Sequence, residues 1–105
     1  MAQPTLCVDR SGTILSWSAD AEEMLGYSRA EALGQSIEII IPAHLRAQHN
    51  SGFQRYVRTG ESALPETVTT SAQRKGGTIV RLQISVSAVR GAAGAIIAVE
   101  ARMRR

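Results

Sequence analysis

Residues 33–60 read LGQSIEIIIPAHLRAQHNSGFQRYVRTG. The apolar run of Ile37 and Ile39, Ile40 and Ile41 stops at Pro42. Proline fixes φ and lacks the N–H that a first-turn residue leaves unpaired, so the pattern predicts a helix that starts there. Leu45, His49, Phe53, Tyr56 and Val57 recur at the spacing of one helical face, with Arg46, Asn50, Gln54 and Arg58 on the other. His49 is therefore expected to point inward with the aromatic and aliphatic side chains. Gly52 is costly inside a helix, which predicts that something packs close to the backbone at that position.

The remaining composition bounds what surrounds this helix. A chain of 105 residues, 44% hydrophobic and 20% charged, fits one folded domain with one core. Cys7 is the sole cysteine, which excludes an internal disulfide and a thiolate metal cluster and reads as a small apolar residue of the first strand. No apolar run approaches the roughly 20 residues needed to span a bilayer, and the opening MAQPTL lacks a charged segment followed by a hydrophobic one. A cytoplasmic location without a membrane partner is the expectation. The net charge is +3, and Arg102, Arg104 and Arg105 account for the excess. The interior arginines look dispersed rather than gathered with aromatic residues, so nucleic acid is not expected as a partner and the terminal basicity reads as a solvated linker.

Upstream of the central segment, residues 5–8 and 13–17 are two β-prone runs around the turn-rich Asp9-Arg10-Ser11-Gly12, which predicts a hairpin. Ser18 can cap a helix whose buried face is Ala21, Met24 and Leu25, with Glu22 and Glu23 where the helix dipole favours acids and Gly26 at its end. Ser28-Arg29-Ala30-Glu31 has the capping-box pattern, so a second short helix is expected to run to Leu33 and stop at Gly34. Downstream, residues 59–62 read as a turn or loop and Pro65 argues against a strand before Glu66. Residues 67–73 read as a strand with one wet face, and Arg74-Lys75-Gly76-Gly77 as a tight hairpin. Val80, Leu82, Ile84, Val86 and Ala88 then alternate with Arg81, Gln83, Ser85 and Ser87, which assigns the first set to the core. After Gly91-Ala92-Ala93-Gly94, residues 95–101 make a last strand. The expected fold is α+β: a five-stranded antiparallel sheet with short helices packed on one face.

These residues carry a family resemblance. The chain resembles a PAS domain over residues 1–105, through Asp9-Arg10-Ser11-Gly12-Thr13-Ile14 and Trp17-Ser18, Ala21 to Ser28 (AEEMLGYS) with Glu31-Ala32-Leu33-Gly34, Ile40-Ile41-Pro42, and Arg74-Lys75-Gly76-Gly77. Gly76 stands where the family usually has Asp or Asn. The resemblance implies a small-molecule or cofactor pocket between sheet and helices, a homodimer through PAS–PAS contacts, and an effector domain reached through a linker that begins at about 101–105. It implies a pocket lined by Ile39, Leu45, His49, Phe53, Tyr56, Leu82, Ile84 and Val99. The alanines of the last two strands leave room for such a pocket or for a close interface.

The stretch from Ile41 to His49, followed by Arg55-Tyr56, is similar to the helix that holds the haem iron in oxygen-sensing PAS domains of rhizobial kinases. His49 matches the ligand position, which makes haem one implied cofactor and His49 its metal ligand. The arginine that those sensors place over the distal side has no counterpart in residues 67–70. Flavin is the other implied cofactor. The photoreactive branch of the family needs a cysteine near the central helices, which Cys7 is not; a non-covalent flavin would stack on Trp17, which otherwise reads as a core or dimer-contact tryptophan.

An enzyme is not expected. No nucleophile elbow, phosphate-cradling glycine loop or HExxH helix occurs, and His44 and His49, five residues apart, point in different directions on a helix. Two classes of function remain: a ligand sensor, with haem as its most testable form, or a ligand-free module for protein association.

Overall fold

A computed structural model describes residues 3–60 and 67–105. The expectations for residues 61–66, including the role of Pro65, lie outside the described residues. Five strands, β1 (Thr5–Asp9), β2 (Ile14–Trp17), β3 (Thr67–Gln73), β4 (Ile79–Arg90) and β5 (Ile96–Arg104), form one antiparallel sheet in the order β2-β1-β5-β4-β3. Helices α1 (Ala19–Leu25), α2 (Arg29–Ala32) and α3 (Arg46–Thr59) cover one face, with 3-10 turns at Ile37–Ile40 and Ala43–Leu45. The predicted sheet with helices on one face is the observed fold.

Local chemistry explains the elements. In the first hairpin, Asp9 Oδ1 accepts the N–H groups of Ser11 at 2.8 Å and Thr13 at 3.0 Å, and Gly12 takes φ +85°. Ser18 Oγ accepts the Ala21 N–H that starts α1, and Gly26, at φ +82°, ends it. Ser28 and Glu31 form the capping box read from the sequence. Gly76 and Gly77 take φ +94° and +99° in the β3–β4 turn, the left-handed region that this hairpin needs.

The core lies between the helices and the inward face of the sheet. Ile14, Leu25, Leu82 and Met103 are its largest enclosed side chains, with Leu6, Val8, Trp17, Ile40, Val57 and Val99 buried around them. Burying a side chain of this size contributes on the order of 1.5–3 kcal/mol. Trp17 is 3% exposed, and its Nε1–H donates to the Tyr27 carbonyl at 3.0 Å, so its indole is a core residue with its one polar group satisfied.

Three expectations about the strands need correction. β5 continues to Arg104, past 101, because its end pairs on both sides: Arg102 with Thr5 and Ser85, Met103 with Ile84, and Arg104 with Gln83. Arg102 and Arg104 are correspondingly part of the sheet and not of a solvated linker, while Arg105 lies beyond it. Arg102 reaches Glu100 Oε1 at 3.3 Å and Ser87 Oγ at 3.2 Å, and Arg104 Nε donates to Gln83 Oε1 at 2.7 Å. Val86 stands on the inward face with Ile84 and Ala88, yet it is 40% exposed. Alternation assigns a face; it does not say how far the helices extend over it.

Candidate functional site

The central helix begins later than Pro42 predicts. Residues 43–45 make a tighter 3-10 turn, capped by Leu45 N–H to the Pro42 carbonyl at 2.9 Å, and the α-helix starts at Arg46. Arg46 Nε folds back onto the Ile41 carbonyl at 3.0 Å and fixes this entry. Of the residues of α3, only Val57, in its last turns, is buried. Phe53 and Tyr56 are half-buried against the core, and the first half of the helix is exposed or half-buried.

His49 therefore does not point into the interior, as its helical spacing predicts. It is half-buried, its ring stacks on Phe53 with centroids 6.0 Å apart and planes 10° from parallel, and Nδ1 lies 3.5 Å from Asn50 Oδ1. Asn50 Nδ2 in turn donates to Glu38 Oε1 at 2.6 Å, so the surroundings of the imidazole include a polar surface chain. Leu45 is half-buried and does not join the core cluster. His44 is exposed. Gly52 faces open space: a Cβ there would meet nothing within 4 Å, so no close approach explains it.

The other expected lining residues belong to the hydrophobic core cluster. Ile39, Phe53, Tyr56 and Ile84 are half-buried and pack against the core that includes the enclosed Leu82 and Val99. These residues do not fit haem in this packing. A haem needs a large apolar cavity beneath an inward imidazole. Leu82 is instead 1% exposed and closely packed, and His49 lies beside a hydrogen-bonded Asn50–Glu38 pair. Among the described residues, no three His, Cys, Asp or Glu side chains gather to hold a metal ion.

Cys7 lies on the sheet face away from the helices, paired with Ser16 and Glu100. Partial burial, and secondly the Glu100 carboxylate, push its thiol pKa up, so it stays protonated and poorly nucleophilic. On that same outer face Leu15, Val89 and Ile97 are exposed by 51%, 38% and 52%. Leu15 and Ile97 reach it because irregularities in the β1–β2 and β4–β5 registers interrupt the alternation.

Three of the interior arginines are nevertheless brought together, without the aromatic residues that a nucleic-acid surface would add. Arg10, Arg58 and Arg90, far apart in sequence, line one open pocket with Val57, Thr59, Gly60, Gly94, Ala95 and Ile96. Sequence reasoning missed this group because pairing of β1, β4 and β5 assembles it, and no local spacing records those pairings. No helix among the described residues is long and apolar enough to cross a membrane.

Comparison with known proteins agrees with this geometry. Residues 1–105 match the sequence model of the family described as PAS fold. The chain is 31% identical over 84 residues to the sensor protein FixL of Bradyrhizobium diazoefficiens, covering 77% of this chain and 16% of that protein. It is also 31% identical over 84 residues to an uncharacterized protein of Azorhizobium caulinodans, covering 78% of this chain and 11% of that protein. The chain thus spans less than a fifth of either relative. Among solved structures, a PAS domain from Colwellia psychrerythraea superposes with TM-score 0.82 at 18% identity, covering 97% of this chain and 84% of that one. The quorum-sensing receptor PAS domain of RpfR from Cronobacter turicensis, in complex with C12:0, superposes with TM-score 0.78 at 17% identity, covering 98% and 93%. With five antiparallel strands in the order 2-1-5-4-3, helices on one face and a family match from end to end, this chain belongs to the PAS family.

Proposed function

We propose that this chain is the sensory module of a larger signalling protein, and that it takes a small apolar ligand between α3 and the sheet. The observation that carries this reading is Val86. It stands between Ile84 and Ala88 on the helix-facing side, opposite Ala101, and is 40% exposed. An apolar side chain left open on the inward face, flanked by two alanines, marks a seam that an aliphatic or aromatic molecule can fill. Ile39, Phe53, Tyr56 and Ile84 would line it above Leu82 and Val99. The C12:0 bound to the Cronobacter turicensis domain supports an aliphatic ligand.

A purified sample tests this with dodecanoate (C12:0) in isothermal titration. Saturable binding to the native chain, lost in a folded Val86→Trp variant, is the expected result. If dodecanoate does not bind and solvent extraction of the purified protein yields no small molecule, the reading fails.

The outer face favours a second role beside the first. Leu15, Val89 and Ile97 form an exposed apolar set that suits a homodimer, through which a ligand signal could pass to an effector domain. In this reading the chain works in the cytoplasm as a sensor and not as an enzyme, and a linker follows β5. Sedimentation checks the association: a dimer at high micromolar concentration that Ile97→Lys converts to monomer supports it, and a strict monomer counts against it.

A further inference from the structure

The pocket at the carboxyl end of α3 is a second site, separate from the seam under Val86. It has a volume of about 200 Å³. At about 30 Å³ per water molecule, it has room for on the order of six or seven waters, less than a drug-sized pocket and enough for a small metabolite. Its floor is apolar and fixed, since Val57 and Ile96 are 5% and 3% exposed. Its rim is cationic: Arg10 comes from the β1–β2 turn, Arg58 from the last turn of α3 and Arg90 from the end of β4.

Two of the three guanidinium groups are held by backbone carbonyls. Arg10 Nη1 donates to the Ile96 carbonyl at 2.7 Å, and Arg90 Nη1 donates to the Gly94 carbonyl at 2.8 Å. Arg90 also lies across the end of the helix, where its Nη2 is 3.0 Å from the position of a Cβ on Gly60. Each guanidinium carries five N–H donors, and the hydrogen bonds described use one on Arg10 and one on Arg90. No acidic side chain lines the pocket among the described residues; the ion pairs described, Lys75–Glu31 and Arg102–Glu100, lie elsewhere.

The partial negative charge at a helix end accounts for one cation, such as Arg58 in the last turn. It does not account for three around one concavity, where a bound anion would relieve their mutual repulsion. We propose that Arg10, Arg58 and Arg90 bind a small anion carrying two or more charges, either an organic phosphate or a polycarboxylate. Planar forks match the oxygens of both groups and can grip them through paired hydrogen bonds. Among the described residues no aromatic side chain lines the pocket, which argues for a compact anion over stacked bases.

The test titrates the protein with pyrophosphate and with citrate at constant ionic strength, by calorimetry and by the side-chain Nε–Hε resonances of arginine. The expected result is saturable binding of at least one probe with shifts at Arg10, Arg58 and Arg90. Pyrophosphate alone would mark the site as one for phosphate esters, and citrate alone as one for polycarboxylates. Arg58→Gln, which removes no hydrogen bond described in the fold, should weaken binding at least tenfold, and Arg90→Gln should do the same. Arg81→Gln, exposed on β4 away from the pocket, should leave it unchanged. If neither probe saturates, or if Arg81→Gln weakens binding as much as Arg58→Gln, the site does not exist.

Discussion

The backbone N–H of Lys75 donates to the carbonyl of Leu25 at 2.9 Å, which ties the tip of the β3–β4 hairpin to the last turn of α1. Gly26 makes the contact possible: at φ +82° it turns the chain away, and a Cβ there would stand 3.4 Å from the Cβ of Lys75. Gly26→Ala should therefore destabilise the fold by about 1–2 kcal/mol through the left-handed backbone alone. Chemical denaturation would show it as a lower midpoint at unchanged slope.

The same hairpin tip reaches α2 through its side chain. Lys75 Nζ pairs with the Glu31 carboxylate, and this hydrogen bond, followed by the one from the Ser28 N–H, lowers the Glu31 pKa from 4.5 to about 2. A carboxylate depressed in the folded state contributes stability that is present above its unfolded pKa and is lost as pH falls through the folded value. The thermal advantage of the native chain over Glu31→Gln should be constant near neutrality and shrink between about pH 4.5 and 2. Full exposure of the group keeps the effect small and sensitive to salt. Melting curves in a pH series, repeated at high salt, measure it.

Gly52 sits inside α3 with ordinary helical φ and open space where a Cβ would go. Gly52→Ala should stabilise the domain by about 0.5–1 kcal/mol, because alanine has the better helix propensity and loses less backbone entropy on folding. A raised denaturation midpoint is the expected reading. A loss of stability would mean that something covers this position.

His49→Ala removes one ring stacked on Phe53 and a long contact to Asn50. The expected cost is below about 1 kcal/mol, in the range of surface substitutions. Ferric haem added to the native chain should give no one-to-one Soret band, and the variant should titrate identically. A sharp band lost in His49→Ala would show that α3 can turn its imidazole inward around a cofactor.

The contrast between Glu31 and His49 shows what a one-dimensional pattern can carry. The capping box of Ser28 and Glu31 is legible because both partners lie within one turn and satisfy each other's N–H groups. The strands of the later hairpin, 67–73 and from Val80 onward, are similarly written in β-branched residues and paired glycines, and the second begins one residue earlier, at Ile79. For His49 the period of 3.6 identified a face of α3, but only the end of that helix near Val57 is buried. Coverage depends on where the sheet stops, which no residue of the helix encodes. Ile39, Phe53, Tyr56, Leu82, Ile84 and Val99 are all in or against the core, since each is apolar and each element has one side to bury. Arg10, Arg58 and Arg90 escaped notice because three cations brought together by tertiary pairing leave no local signature.

The strand order has a mechanical consequence. β1 and β5 are antiparallel neighbours, and the chain enters β1 beside the point where it leaves β5, with Thr5 opposite Arg102 and the Met103 N–H on the Pro4 carbonyl at 2.9 Å. Tension applied to the flanking polypeptide therefore pulls across the rungs of one ladder. The sheet would open pair by pair, beginning at Thr5–Arg102, in the manner of a zipper. Little force is needed to part such a geometry, so the domain would yield at its seam of entry and exit while β3, β4 and the arginine-lined pocket were still intact.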